Sequence, residues 1–230
     1  MGDRLFPADE GNPKGYFEDH EINGINEGLL AQLLPGPRRT LTNKLLGRPR
    51  PRAKWHRWLA ELAPDQKIPC PEKFAERIRA ATQRRPFCFK DPRFCYTLGV
   101  WRSFAPDAAV LCVFRHPEAS AASIVKEVQR HQILLDGAPV DYERALRIWR
   151  MMYGYALDVQ YPAGGDWLFV HYDQLMAGTA YAAIEKLLGL SVHRAFADPN
   201  LRRSTAPAAV RSDVAELYQR LCDRAGFSPG

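Results

Sequence analysis

The sequence predicts an α/β fold in which a parallel β-sheet lies between two layers of helices. Three short runs of apolar and aromatic residues have the composition of strands: Pro86–Lys90, Ala108–Arg115 and Asp166–Tyr172. Each run is continuously apolar rather than alternating, as is typical of strands buried on both faces of a parallel sheet. Longer segments with helical periodicity separate the three runs, and this order of elements indicates a layered α/β domain.

Five segments carry apolar residues at helical spacing and predict helices. The most regular of them contains Ala145, Ile148, Trp149 and Met152 on one face. A proline near a helix start and a glycine at a helix end support several of the boundaries. The predicted helices are Glu72–Thr82, Glu118–His131, Asp141–Val159, Tyr181–Leu190 and Val210–Ala225.

The composition is that of an ordinary globular protein. Of the 230 residues, 46% are hydrophobic and 25% are charged, so we predict a single domain over residues 1–230. The sequence contains no apolar run as long as a membrane span, and its acidic first twenty residues do not resemble a secretory signal. The five cysteines form no C-x-x-C pair. This pattern favours the cytoplasm and argues against a disulfide framework or a zinc site.

The basic excess of the chain is local. The segment Gly36–Arg57 contains eight basic residues and no acidic one, which exceeds the net charge of +6 for the whole chain. Its many prolines and glycines predict a loop or flap. Trp55 and Trp58 could stack on nucleic-acid bases, but no helix-turn-helix, zinc or RNP signature accompanies them. We therefore expect no nucleic-acid partner.

The strongest local motif is VFRHPEASAAS at Val113–Ser123. A predicted strand delivers Arg115 at its carboxyl end, Pro117 opens a helix, and Ser123 follows within that helix. Ligands of open α/β sheets bind at the carboxyl ends of strands. An arginine beside a helix N-terminus offers several N–H donors, and this chemistry suits a phosphate. The alternative is an ion pair between Arg115 and Glu118 at the sheet edge.

Further charged and aromatic residues follow the other predicted strands. Lys90, Asp91 and Arg93 follow the first strand, and Tyr172 follows the third. Two neighbouring strand ends that each carry a cation would form an anion-binding crevice. The alternative is that the three charged residues pair with one another at the surface. The double arginine Arg202–Arg203 is, by itself, typical of solvated charges.

Five motifs resemble those of the sulfotransferases that use 3′-phosphoadenosine-5′-phosphosulfate (PAPS), and they follow one another along the chain in the order of that family. Arg115 and Ser123 match the family's 3′-phosphate motif in spacing and residue type. The other four are similar to the second-strand motif of bacterial members, the stretch after the phosphosulfate loop, the YEDL box and the late basic loop. They stand at Lys90–Arg93, Asn12–Leu30, Val170–Leu175 and Leu201–Arg203.

The resemblance implies a fold like that of the P-loop nucleotide hydrolases. It also implies a metal-free reaction, in which a sulfuryl group moves in line from PAPS to a hydroxyl or amine and adenosine 3′,5′-bisphosphate is released. Arg115 and Ser123 are expected to hold the 3′-phosphate, and Arg202 or Arg203 to add a contact. Tyr172 is expected to lie beside the adenine.

Two further residues take catalytic roles in this comparison. Lys90 is expected near the bridging or acceptor oxygen, and Glu18 in the GYFED segment is expected to accept the proton of the acceptor. Asp19, His20 and Glu21 are close rivals for the role of base. A structural role for Glu18, as a carboxylate at a helix start, is the alternative.

Members of this family begin with a strand and a G-x-x-R-S-G-T-[ST] loop for the 5′-phosphosulfate, and the 230 residues contain no such loop. We therefore expect a misassigned or truncated start, so that the first strand and loop are missing. Two alternative functions are a non-catalytic remnant and a nucleotide or small-molecule kinase. The expected acceptor is a glycan or another small hydroxylated compound, which the basic flap could cover.

Overall fold

A computed structural model describes residues 4–34, 56–135, 138–198 and 209–229 of the chain. The chain divides into two compact units, one formed by Met1–Ala105 with Leu135–Ala138 and the other by Pro106–Leu134 with Pro139–Gly230. Eight helices and a small parallel sheet make up most of the described structure, which confirms a mixed α/β class. The basic flap lies outside the described residues except for its last two.

The described part of the first unit contains three helices, α1 (His20–Leu30), α2 (Glu72–Gln83) and α3 (Phe94–Arg102), and a 3₁₀ turn at Arg57–Leu59. Apolar side chains three and four residues apart on α1 face those of the other two helices. The core that they form is Ile22, Ile25, Leu29, Phe74, Ile78 and Trp101. The sequence pattern predicted α2 but neither α1 nor α3.

The predicted strand Pro86–Lys90 does not form, and this prediction was wrong. The segment runs between α2 and α3 without a strand assignment. Its apolar character has another cause, because Phe89 packs against Trp101 of the helical core with ring centroids 5.7 Å apart. Cys88, in the middle of the same segment, is exposed. Lys90 therefore follows an irregular segment and not a strand end.

The second unit contains the parallel sheet. Strands β1 (Val110–Phe114) and β4 (Trp167–His171) pair over their full length, from Val110 opposite Trp167 to Phe114 opposite His171. Parallel strands need a long crossover, and here it includes α4 (Pro117–Arg130) and α5 (Tyr142–Tyr155). The two-residue strands β2 (Leu134–Leu135) and β3 (Ala138–Pro139) form a separate small sheet on this crossover.

Helices cover the two faces of the sheet unequally. On one face, Phe114 lies against Tyr153 of α5 and Tyr218 of α8 (Ser212–Ala225). On the other face, Val170 of β4 packs against Ile184 of α7 (Tyr181–Leu188). The short helix α6 (Tyr172–Ala177) follows β4 directly.

The outer face of β1 corrects the expectation of strands buried on both sides. Leu111 and Val113, which share one face of the sheet, are 37% and 39% exposed. Among the described residues, packed helices cover the other face of β1, which carries Phe114. The continuous apolar run in the sequence therefore indicates a strand, but it does not indicate that both faces of that strand are buried.

All five predicted helices are confirmed, with ends that differ from the predictions by at most two residues. The predicted helix Asp141–Val159 corresponds to α5 together with a turn of π-helix over Ala156–Gln160. The longest helices of the described residues have 14 residues. None of the described helices is long and apolar enough to cross a membrane.

Gly28 tests the packing of α1 on α2. A Cβ atom at Gly28 would lie 2.5 Å from Cζ of Phe74, a ring of the core. We expect Gly28→Ala to lower the free energy of unfolding by about 1–3 kcal/mol, the usual cost of overpacking. The measurement is urea unfolding followed by circular dichroism.

Gly154→Ala is the matched control, because a Cβ atom there would meet its nearest neighbour, Leu217 Cδ2, at 4.0 Å. This variant should gain up to about 1 kcal/mol through helix propensity. Equal stabilisation by both substitutions would contradict the packing described for α1 and α2.

Candidate functional site

The carboxyl edge of the parallel sheet brings together two of the residues that the sequence singled out. Phe114 and His171 are register partners, so the next residues, Arg115 and Tyr172, leave the two strands at the same edge. The guanidinium carbon of Arg115 lies 4.8 Å from the centroid of the Tyr172 ring. This contact is a cation–π interaction, and it places a fork of N–H donors beside an aromatic ring.

The hydrogen bonds at the start of α6 also fix the position of Tyr172. His171 caps this helix, since its Nδ1 accepts a hydrogen bond from the backbone N–H of Asp173 at 3.1 Å. Gln174 completes the capping box by accepting from the backbone N–H of His171 at 2.8 Å. The Nε2 atom of His171 lies 3.1 Å from the hydroxyl oxygen of Tyr218. Because His171 is buried and bonded through both nitrogens, the backbone at Tyr172 is held in one position.

The loop after Arg115 leads into the N-terminus of α4. Pro117 is the first helical residue, and Glu118 lies in the first turn. The sequence suggested Glu118 as an ion-pair partner for Arg115. Its carboxylate contacts the Nδ1 atom of His116 at 3.0 Å and accepts a hydrogen bond from the backbone N–H of Arg211 at 2.7 Å. Burial lowers the pKa of His116, and the nearby Glu118 carboxylate opposes this shift.

The other three residues expected to bind the nucleotide are Ser123, Arg202 and Arg203. Ser123 is exposed on α4, six residues after Pro117, which is about 9 Å along a helix axis. Arg202 and Arg203 lie outside the described residues. The structure therefore brings together Arg115 and Tyr172 and places Ser123 further along the following helix.

In the first unit, the two predicted catalytic residues form an ion pair. Lys90 donates a hydrogen bond from Nζ to Oε1 of Glu18, although 72 residues separate them in the chain. The Glu18 side chain is 12% exposed and that of Lys90 is 55% exposed, so the ammonium group lies at the surface and the carboxylate is mostly buried. The backbone carbonyl of Glu18 accepts from the N–H of Phe6 at 2.9 Å.

The backbone just before Glu18 is unusual. Phe17 has a φ of +55° and Gly15 a φ of +89°. A bulky residue in the left-handed region is strained, because its Cβ approaches the neighbouring carbonyl oxygen. Strain of this kind is found where the surrounding structure fixes a side chain in a required direction, and here it precedes the carboxylate that meets Lys90.

The three rival carboxylate and imidazole groups have other partners. Asp19 is the N-cap of α1 and accepts from the backbone N–H groups of Glu21 and Ile22. Glu21 pairs with Arg77 at 2.7 Å, and the His20 ring lies against that of Phe6. The helix-start role suggested for Glu18 therefore belongs to Asp19.

Beneath the Glu18–Lys90 pair lies a buried polar network. Its centre is the ion pair between Asp91 Oδ1 and Arg93 Nη1 at 3.0 Å, in which both side chains are almost fully buried. Arg93 also donates from Nε to Glu27 at 3.0 Å, and Glu27 in turn pairs with Arg57 at 2.6 Å. The alternative in which Lys90, Asp91 and Arg93 pair with one another at the surface is therefore wrong for Asp91 and Arg93, because their ion pair is buried inside the unit.

Two asparagines of α1 complete this network. Asn23 and Asn26 each donate from Nδ2 to Oδ2 of Asp91, at 3.1 and 3.0 Å. Burial raises the pKa of the Asp91 carboxyl above its usual value, and Arg93 and the Asn26 amide offset only part of this shift. Both carboxylate oxygens accept only from N–H groups in these contacts, so the geometry fits the ionised form.

Sequence reasoning missed the polar residues of α1. Asn23, Asn26 and Glu27 recur at intervals of three and four residues on the helix face that also carries Ile22 and Leu29. Polar groups at the helical period of an apolar face indicate a buried hydrogen-bonded network. That spacing could have predicted α1, because one face of a helix can bury hydrogen-bonded polar residues as well as apolar ones.

We expect Arg93→Met to lower the free energy of unfolding by about 3–5 kcal/mol, because it leaves buried carboxylates without their cation. Chemical denaturation at neutral pH measures the loss. Arg77→Met is the control, since it breaks the half-exposed pair with Glu21, and its expected cost is below about 1 kcal/mol. Similar losses for the two variants would contradict the buried network.

Comparison with models of known families, with curated proteins and with solved structures found no match for this chain. A functional interpretation therefore depends on the residues themselves. The features that carry it are the Arg115–Tyr172 edge of the sheet and the Glu18–Lys90 pair.

Proposed function

We propose that this protein is a PAPS-dependent sulfotransferase that moves a sulfuryl group to a hydroxyl or amine acceptor. The observation that carries the proposal is the contact of Arg115 with Tyr172 at the carboxyl edge of two parallel strands. A nucleotide with a 3′-phosphate needs a cation and a flat apolar surface within a few ångströms of each other. The proposed fold is of the P-loop nucleotide-hydrolase type, with helices on both sides of the sheet.

In this proposal Arg115 binds the 3′-phosphate through its guanidinium group. The N-terminus of α4, which begins two residues later, adds backbone N–H groups and the positive end of the helix dipole. Ser123 donates a further hydrogen bond, and Arg202 or Arg203 adds a second cation. Tyr172 packs beside the adenine.

Glu18 and Lys90 perform the chemistry. Glu18 removes the proton from the acceptor O–H or N–H as the acceptor atom attacks the sulfur. The bond between sulfur and the bridging phosphate oxygen breaks, and adenosine 3′,5′-bisphosphate departs with that electron pair. Lys90 stabilises the negative charge that develops on the bridging oxygen. Positioning and charge stabilisation supply most of the catalysis, as in phosphoryl transfer, and the proposed reaction uses no metal.

The pairing of Glu18 supports its role over those of its neighbours. Asp19 and Glu21 are committed to the helix cap and to Arg77, whereas Glu18 meets the exposed ammonium group of Lys90. The proposed site of action is the cytoplasm, and the proposed acceptor is a glycan or another small hydroxylated compound.

Binding of adenosine 3′,5′-bisphosphate tests the proposal. We expect weak binding by the 230-residue chain, since the G-x-x-R-S-G-T loop that the resemblance implies is not in its sequence. Arg115→Ala should weaken this binding about tenfold, which corresponds to the loss of one hydrogen bond to a charged group. Titration followed by calorimetry or ligand-observed NMR measures the change.

Arg224→Ala is a matched control. Its guanidinium also lies 4.8 Å from a tyrosine ring, that of Tyr161, whose ring contacts Trp167, the first residue of β4. Affinity should stay unchanged in this variant. The absence of binding by the wild-type chain, or an equal loss in both variants, would contradict the proposed nucleotide site. Binding without sulfuryl transfer would favour the non-catalytic alternative.

A further inference from the structure

Asn23 occupies a central place in the first unit. It lies in the first turns of α1 and is 3% exposed. Its backbone N–H donates to the carbonyl of the N-cap residue Asp19 at 2.9 Å, so the helix start fixes the position of its Cα atom. The side chain therefore projects from a rigid element into the buried network.

The amide group of Asn23 is bonded through both of its polar atoms. Its Oδ1 accepts from Nη1 of Arg93 at 3.0 Å. Its Nδ2 donates to Oδ2 of Asp91 at 3.1 Å and to Oε2 of Glu18 at 3.3 Å. An amide turned the other way would face its oxygen to two carboxylates and its NH₂ to a guanidinium, so only one orientation satisfies every neighbour.

This amide connects the buried ion pair to the surface pair. Glu18 uses one oxygen for Lys90 and the other for Asn23. Lys90 is also the chain neighbour of Asp91, which accepts a hydrogen bond from the same Nδ2 of Asn23. One side chain thus restrains both members of the surface pair, Glu18 directly and Lys90 through the adjacent residue.

We propose that Asn23 is a positioning residue that holds the Glu18 carboxylate toward Lys90. The inference rests on the proposed function, in which these two residues are catalytic. A carboxylate held by a hydrogen bond to its second oxygen keeps the geometry that proton transfer requires. Without the amide of Asn23, Glu18 rotates between several rotamers and spends less time against Lys90.

Asn26 provides a matched control on the same helix. It lies one turn later, is also fully buried, and also donates to Oδ2 of Asp91, at 3.0 Å. Its Oδ1 accepts from Thr97 at 2.9 Å and from Trp101 at 2.7 Å. Asn23→Ala and Asn26→Ala therefore both remove a donor to Asp91, but only the first removes the hydrogen bond to Glu18.

The test measures the exchange of the Lys90 ammonium protons with water by ¹H–¹⁵N NMR, with Lys90→Gln to assign the signal. A hydrogen-bonded ammonium exchanges slowly. We expect Glu18→Gln to accelerate exchange about tenfold, the effect of one lost hydrogen bond between charged groups. Asn23→Ala should move the rate toward that of Glu18→Gln, and Asn26→Ala should keep the wild-type rate.

Turnover of PAPS, followed as release of adenosine 3′,5′-bisphosphate with a panel of hydroxyl and amine acceptors, gives a second readout. Asn23→Ala should lower kcat about tenfold and leave the KM for PAPS unchanged, whereas Asn26→Ala should change neither. If an alanine variant does not fold, Asn23→Leu and Asn26→Leu replace the pair, since leucine keeps roughly the volume of asparagine and, like alanine, donates no side-chain hydrogen bond.

Two results would overturn the inference. One is a wild-type exchange rate in Asn23→Ala, and the other is equal acceleration in the Asn23 and Asn26 variants. A protein that turns over no PAPS but shows the expected exchange pattern would refute the proposed function and leave the positioning role intact. A protein that turns over PAPS equally well in both alanine variants would refute the positioning role alone.

Discussion

Five residues of β1 pair in parallel with five residues of β4, and the register of this pairing determines what the strands present at their carboxyl ends. Shifting the register by one residue would turn Phe114 away from the rings of Tyr153 and Tyr218 and expose it. The aromatic packing beneath the sheet therefore fixes the register. Arg115 and Tyr172 meet because each follows the last residue of its strand.

The first unit depends on a different constraint, which is the cost of burying charge. Asp91 and Arg93 are removed from water, and only a full set of hydrogen bonds makes their burial tolerable. Asn23, Asn26 and Glu27 supply these bonds from α1, which explains why polar residues occupy its inner face. Asn23 also donates to Glu18, so a hydrogen bond connects the structural network to the proposed catalytic pair.

Local sequence pattern was sufficient for helices with apolar residues at helical spacing and for strands formed by a continuous apolar run. The two strands of the sheet and five helices could be predicted in this way. Local pattern failed at Pro86–Lys90, because an apolar run looks the same whether a sheet or a helical core buries it, and the anion-binding crevice expected between two cation-bearing strand ends depended on that strand. Phe89 packs on Trp101 twelve residues later, and nothing local reveals that partner.

Local sequence pattern could not predict the contacts of Glu18 and Lys90, because here too the partners are far apart in the chain. Glu18 and Lys90 are 72 residues apart, and Asn23 and Arg93 are 70 residues apart. The sequence suggested roles for Glu18 and Lys90 only through resemblance. Their pairing, and the separation of Glu18 from Asp19 and Glu21, emerged once the start of α1 at His20 was known.

We propose that the carboxyl edge of the β1–β4 sheet binds a nucleotide. Intermolecular NOEs between adenosine 3′,5′-bisphosphate and the isotope-labelled protein test it most directly. We expect NOEs from the adenine protons to the Tyr172 ring, with chemical-shift changes at Arg115 and in the first turns of α4. NOEs to residues remote from this edge, or no contact of the nucleotide with Tyr172 at saturating concentration, would contradict it.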